Sequence, residues 1–243
     1  MFYKNLPYVG NILAAISSDR VQYLIFIGLS FMILIITGVL YFSDNQIFQR
    51  FIGKINPIIA FLLAMILGII LFSYLLSQKW FAIFGKETLD GVIRASVLAA
   101  VFGVIIILVD MKIVFPADTN ILFPKSILFY PAIGFFVEIL FHVFPVTVSL
   151  LLLNSILKNA NIFWISFLIV ALLEPVYQAM DMANSSRYPL WAVLYVGLHI
   201  YLINLFQLLI FKKYDFISMY SFRLVYYLLW HIGWGYVRLR LLF

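Results

Sequence analysis

The reading of this chain is decided at residues 129–156, FYPAIGFFVEILFHVFPVTVSLLLLNSI. The run is apolar almost throughout, and its apolar character is continuous, not alternating. At 1.5 Å per residue it is long enough to cross a hydrocarbon core of about 30 Å. Lipid offers no partner to a backbone N–H or C=O, which leaves helices or closed barrels as spanning structures. A continuous run fits the helix; a barrel strand would alternate. Two residues break the pattern. Glu138 and His142 are spaced i, i+4, so they share one side of the helix.

The same signature recurs on both sides of this run. Apolar stretches at 21–42, 57–76, 92–115, 162–180, 189–211 and 216–237 complete a set of about seven. The composition agrees: 65% of the 243 residues are hydrophobic and 11% are charged, against about 25% charged in a soluble domain. The expected fold is therefore an all-α integral membrane protein without a sizeable soluble domain, multi-pass, in the cell membrane. Residues 1–20 read as a short interfacial segment without a cleavage signature. Caps are expected at Asn56-Pro57, Asn161 and Asp215, and Pro131 and Pro189 are expected to open the fourth and sixth helices. The net charge of +6 comes mostly from Lys and Arg between the apolar runs. It reads as interfacial anchoring on membrane lipids, not as a nucleic-acid surface. These cations are shared almost evenly between the two sets of loops, so they do not set an orientation. The chain has no cysteine, which removes disulfides, iron–sulfur clusters and thiol catalysis.

Ionisable groups inside a membrane mark function by default. Only Glu138 and Glu174 among the acids fall well inside expected spans, together with His142, His199 and His231. All five lie in the last four helices. Depths counted from the connection between the fourth and fifth helices, at 1.5 Å per residue, are about 21 Å for His142, 27 Å for Glu138 and 20 Å for Glu174. Gln178 comes to about 26 Å, His199 to 19 Å and His231 to 24 Å. The polar groups thus form one layer, nearer the face that carries the C-terminus. Glu174, Tyr177 and Gln178 share a side of the fifth helix. Arg223, Tyr227, Trp230, His231 and Trp234 form a stripe on the seventh. Arg223 lies shallow enough to snorkel, at about 12 Å. Pro145 and Pro175 free the carbonyls of Phe141 and Ala171 and can kink their helices beside the layer.

Three chemistries suit such a layer. A carboxylate can activate water, with a histidine holding it or stabilising an oxyanion. Glu138, His142, Glu174 and His231 can be ligands for a divalent metal, although the H-E-x-x-H spacing is absent. A chain of Glu and His can also relay protons in a transporter.

The segment Phe136-Val137-Glu138-Ile139-Leu140-Phe141-His142, the polar patch on the next helix and Trp230-His231-Ile232-Gly233-Trp234-Gly235 resemble the CPBP intramembrane proteases. That family includes the type II CAAX prenyl endopeptidases and the bacteriocin-immunity proteins. Its pattern is E-E-x-x-x-R, then F-x-x-x-H, then H-x-x-x-N. Glu138 matches the second glutamate and His231 the last histidine. Val137 stands in place of the first glutamate, His142 in place of the arginine, Glu174 and Gln178 where the Phe and His fall, and Gly235 in place of the asparagine. The resemblance covers residues 128–243 as a four-helix core and leaves 1–127 as an apolar preface of three helices. It implies an intramembrane endopeptidase acting on a membrane-anchored peptide or protein. Glu138 would be the base and His231 a water or oxyanion ligand; His142 and Glu174 would tune them. Gln178, His199 and Tyr227 would orient substrate, with or without a divalent metal. The alternative is a non-proteolytic binding or transport protein that uses the same layer for a proton, a metal or a lipophilic ligand.

Overall fold

The computed structural model describes residues 19–157, 161–184 and 188–243; the interfacial segment expected at 1–20 lies outside it except for its last two residues. Six helices are long and apolar enough to cross a membrane: α1 (Arg20–Ser43), α2 (Pro57–Ser77), α3 (Thr88–Ile113), α4 (Lys125–Ile156), α5 (Ile162–Asn184) and α6 (Leu190–Lys213). A further helical run, α7, follows as Phe216–Tyr227, Leu228–Trp234 and Gly235–Leu241. It carries Arg223, His231 and Arg238 within its length, so length and composition single out six spans where the sequence suggested about seven. Among the described residues there is no strand.

The capping chemistry read from the sequence is present. Asn56 accepts from the backbone N–H of Ile58 at 2.9 Å, with Pro57 in the first turn of α2. Asn161 accepts from the N–H of Trp164, and Asp215 from that of Ser218 at 2.8 Å. Pro189 precedes the first residue of α6. Pro131 is a correction: α4 already begins at Lys125, and the proline lies inside it. As the seventh residue it lies beyond the first turn, so its missing N–H frees the carbonyl of Ile127, while its own carbonyl accepts from the Tyr220 hydroxyl at 2.8 Å.

Cross-contacts fix the two ends of the bundle. At one end Asp44 meets Lys125, Arg50 meets the carbonyl of Asp118, and Arg238 meets the carbonyls of Phe115 and Pro116. At the other, Phe216 and Ile217 bond to Ala82 and Ile83, and Lys212 donates to the Trp80 carbonyl. α1 and α2 pack together, and α1 also lies on the first part of α4; α3 runs along the first part of α7; the second half of α5 leans on α6. An aromatic core of Phe26, Phe72, Phe135, Phe211 and Phe216 joins the N-terminal helices to α4, α6 and α7. Phe26 reaches α2 because position 68 is glycine, where a Cβ would stand 2.4 Å from the ring.

Two helices widen into π turns, at Glu138–Val143 in α4 and Leu228–Trp234 in α7. Such turns add a residue to the ring of each backbone bond and are concentrated at functional sites. The first precedes Pro145, whose missing N–H already interrupts the α pattern, and the N–H of Phe144 bonds to the carbonyl of Ile139. In α5 the pattern breaks at 171–172, before Pro175. Both prolines therefore act where the sequence placed them.

Candidate functional site

At the centre lies Arg223 of α7. It does not snorkel: it is 4% exposed and held by four helices. Its Nε–H donates to Glu138 of α4. Its terminal nitrogens donate to both oxygens of Glu174 on α5, at 3.2 and 3.0 Å. The remaining two donors reach the hydroxyl oxygen of Tyr227 at 3.1 Å and Oε1 of Gln207 on α6 at 3.2 Å. All five N–H donors of a guanidinium are thereby engaged. Gln207 closes the ring by donating to Glu138, and Gln178 donates to Glu174 at 3.0 Å.

Glu138 and His142 are wholly buried. Nδ1 of His142 stands 2.8 Å from Oε2 of Glu138, at an angle poor for a hydrogen bond, so both atoms count as unsatisfied; Nε2 also has no hydrogen-bond partner. The expected partnership of a buried glutamate with a histidine is present in this contact, but the dominant partner of both glutamates is Arg223.

A cavity of about 430 Å³ lies beside this network, walled by α4, α5, α6 and α7 and extending to the end of the bundle where Arg50, Asp118 and Thr119 sit. Glu174, Gln178, Tyr227, His199 and His231, all expected at the site, line it. Glu138 and His142 are not among its lining residues. The cavity face of α4 is instead Ile133, Phe136, Val137 and Phe141. Successive helical residues point about 100° apart, so with Val137 facing the cavity, Glu138 turns toward Arg223.

His231 is set apart from the carboxylates. Its Nδ1–H donates to Oδ1 of Asn120 at 2.6 Å, and its ring stacks on Tyr130 with centroids 4.5 Å apart. Asn120 comes from the connection between α3 and α4. It packs against Gly235, where a Cβ would meet its Nδ2 at 2.9 Å. His199 is 6% exposed, stacked on Tyr195. Among the described residues no three His, Asp or Glu side chains form a group able to hold a metal.

Three residues escaped the sequence reading. Gln207 and Asn204 are amides deep in the apolar α6, and Asn120 lies in a connection. Arg223 was placed on the stripe with Tyr227 and His231, but its partners were not foreseen. A search confined to acids and histidines passes over amides, although a buried amide in lipid has the same need for partners.

The fold and site together define a multi-pass helical membrane protein with a mainly apolar cavity into which a few buried polar side chains face. None of the family models, curated proteins or solved structures compared with the chain matches it.

Proposed function

We propose that this chain is a seven-span, non-proteolytic binding protein with a CPBP-like core, and that its cavity takes a lipophilic ligand from the bilayer. The observation that carries this reading is the polarity of α4. Where the CPBP pattern begins its pair of glutamates, this chain presents Val137 to the cavity, while Glu138 is enclosed by Arg223, Gln207 and His142. A base must reach the water it deprotonates. Glu138 has no exposed surface and its neighbours hold it as an ion-pair partner. The cavity size lies within the range of small-molecule sites, about 300–1,000 Å³. One wall also belongs to the outer surface, since Tyr177 is 58% exposed and its ring meets Phe141 at 6.0 Å, which suits entry from lipid.

Trp230 lines the cavity and reports its occupancy. With the other tryptophans replaced by phenylalanine, a dibrominated C18 amphiphile in nanodiscs should quench Trp230 saturably. Val137→Phe, which fills the apolar wall, should abolish the saturable part. Quenching that only follows the bulk mole fraction of the bromolipid defeats the binding reading.

A second reading, the endopeptidase, is favoured by one feature: His231 and Asn120 form a histidine–asparagine pair at the wall of the cavity that also holds Glu174. Its base would be Glu174, not Glu138. Cleavage of a membrane-anchored peptide should then fall about 10²–10⁴-fold in Glu174→Gln and persist in any folded Glu138→Gln. A folded Glu174→Gln of full activity excludes that reading.

A further inference from the structure

Two buried atoms on the cavity wall have no hydrogen-bond partner, Oδ1 of Asn204 and Nε2 of His199, and the cause of the first lies in the sequence. Pro175 leaves the carbonyl of Ala171 without its helical N–H. The amide nitrogen of Asn204, on α6, turns toward that carbonyl at 3.5 Å. Oδ1 of the same amide is therefore directed elsewhere and has no donor; the residue is 1% exposed and lines the cavity. Nε2 of His199, on the same helix and the same cavity wall, is likewise buried and without a partner. Among the described residues, the buried cation beside the cavity is Arg223; it has spent all five donors on the chain's own groups and faces two carboxylates. Arg50 stands at the mouth, held by the carbonyl of Asp118.

We infer that the buried end of the ligand is a hydroxyl, and that the natural occupant is a membrane-soluble alcohol whose O–H donates to Asn204. This rests on the lipophilic-ligand reading above and names the chemistry of that ligand. A buried carbonyl oxygen without a partner costs more than a bonded one, and only a donor relieves it. A carboxylate or phosphate end would bring further acceptors and negative charge against Glu174 with no free cationic donor to meet it. An ammonium end would have to shed its hydration in the middle of the bundle for contact with carboxylates already paired to Arg223. A hydroxyl donates to Oδ1 and costs least to bury. With its proton on Oδ1, its oxygen still has lone pairs that can accept from His199 when Nε2 carries hydrogen.

The test uses the full-length protein in nanodiscs with Trp230 as reporter. The probes are 9,10-dibromooctadecan-1-ol, its methyl ether, 9,10-dibromooctadecanoic acid and 9,10-dibromooctadecan-1-amine. The alcohol should bind about tenfold more tightly than the ether, the scale of one buried neutral hydrogen bond, and more tightly than the acid or the amine. Asn204→Leu, close in volume, should bring alcohol and ether to equal affinity while leaving the ether unchanged. Asn204→Thr keeps a neutral hydroxyl oxygen as acceptor and serves as the second variant should the leucine protein fail to fold; it should keep the preference for alcohol over ether. Equal binding of alcohol and ether by the parent protein, or tighter binding of acid or amine, overturns the hydroxyl assignment and leaves the binding reading standing. Failure of all four probes to quench saturably removes the binding reading itself.

Discussion

Among the described residues two arginines are buried, and they are held in opposite ways. Arg238 meets one carboxylate, Asp110, through Nε at 2.7 Å and Nη2 at 2.9 Å. It spends two more donors on the carbonyls of Pro116 and Phe115. Asp110 in turn accepts from the N–H of Phe115 and the indole of Trp234. The charges balance one to one, and the other acceptors for Arg238 are backbone carbonyls. Arg223 meets two carboxylates and two neutral side chains from four helices, and no backbone. It also borders the cavity. A staple can be closed with carbonyls because it has only to hold one connection to one helix. A network that positions side chains around an open space has to be built from side chains, and removing any member leaves charge behind.

Removing the guanidinium separates the two. Arg223→Met leaves Glu138 and Glu174 buried without their cation, and the loss should reach about 3–5 kcal/mol, the cost of breaking a buried pair by one partner. Thermal unfolding in detergent reads it directly. Adding Glu138→Gln and Glu174→Gln to that variant should return most of the stability, because the unpaired charge is what costs. If the triple variant is no more stable than Arg223→Met, the packing of the arginine stem matters more than its charge. Arg238→Met should fall at the lower end of the same range, about 3 kcal/mol, because Asp110 keeps two N–H donors. An Arg238 loss larger than that of Arg223 would reverse the comparison.

Gly235 joins the two regions. It lies on α7 between His231 and Arg238, and Asn120 from the stapled connection packs on it. Gly235→Ala places a methyl 2.9 Å from Asn120 Nδ2 and 3.2 Å from its Cβ. The amide must move, and the His231 bond moves with it. A cost of about 1–2 kcal/mol is expected, as for mild overpacking. The histidine C2 proton of His231, followed by NMR, should shift. An unmoved resonance would show that Tyr130 stacking alone fixes the ring.

The sequence displayed the membrane class, six of the helices and three caps, because hydrophobic length and cap chemistry are local. It also placed Glu174, Gln178, His199, Tyr227 and His231 near one another, since depth follows from counting residues at a fixed rise. It did not show which way Glu138 points. Depth says nothing of azimuth between helices, and the π turn at Glu138–Val143 shifts the register of the faces within one turn. The partners of Arg223 went unread for a related reason. A cation near a helix end can snorkel or pair, and the choice depends on two carboxylates 49 and 85 residues away in sequence. The pairing of His231 with Asn120, 111 residues apart, had no local signal.

The smallest effect belongs to the ion pair at the surface, and it calibrates the others. Lys125 donates to Asp44 at 2.8 Å, with side chains 47% and 33% exposed. The hydrogen bond from Lys125, aided by the N–H of Gln46, holds the Asp44 carboxyl below the ordinary carboxylate range. A depressed folded-state value means stability that is fully present above the ordinary carboxylate value, about pH 4, and is lost as pH falls through the lower folded one. Water and salt screen so open a pair, so its contribution at neutral pH should be only about 0.2–0.5 kcal/mol. Lys125→Ala should therefore lower the melting temperature slightly at pH 7 in low salt. The difference should shrink in high salt, and shrink again below pH 4. Arg238→Met should lose its stability with little dependence on salt, because Asp110 and Arg238 are both shielded from it. If Lys125→Ala cost as much as Arg238→Met, burial would not be what distinguishes the ion pairs of this protein, and the contrast between its two arginines would need another cause.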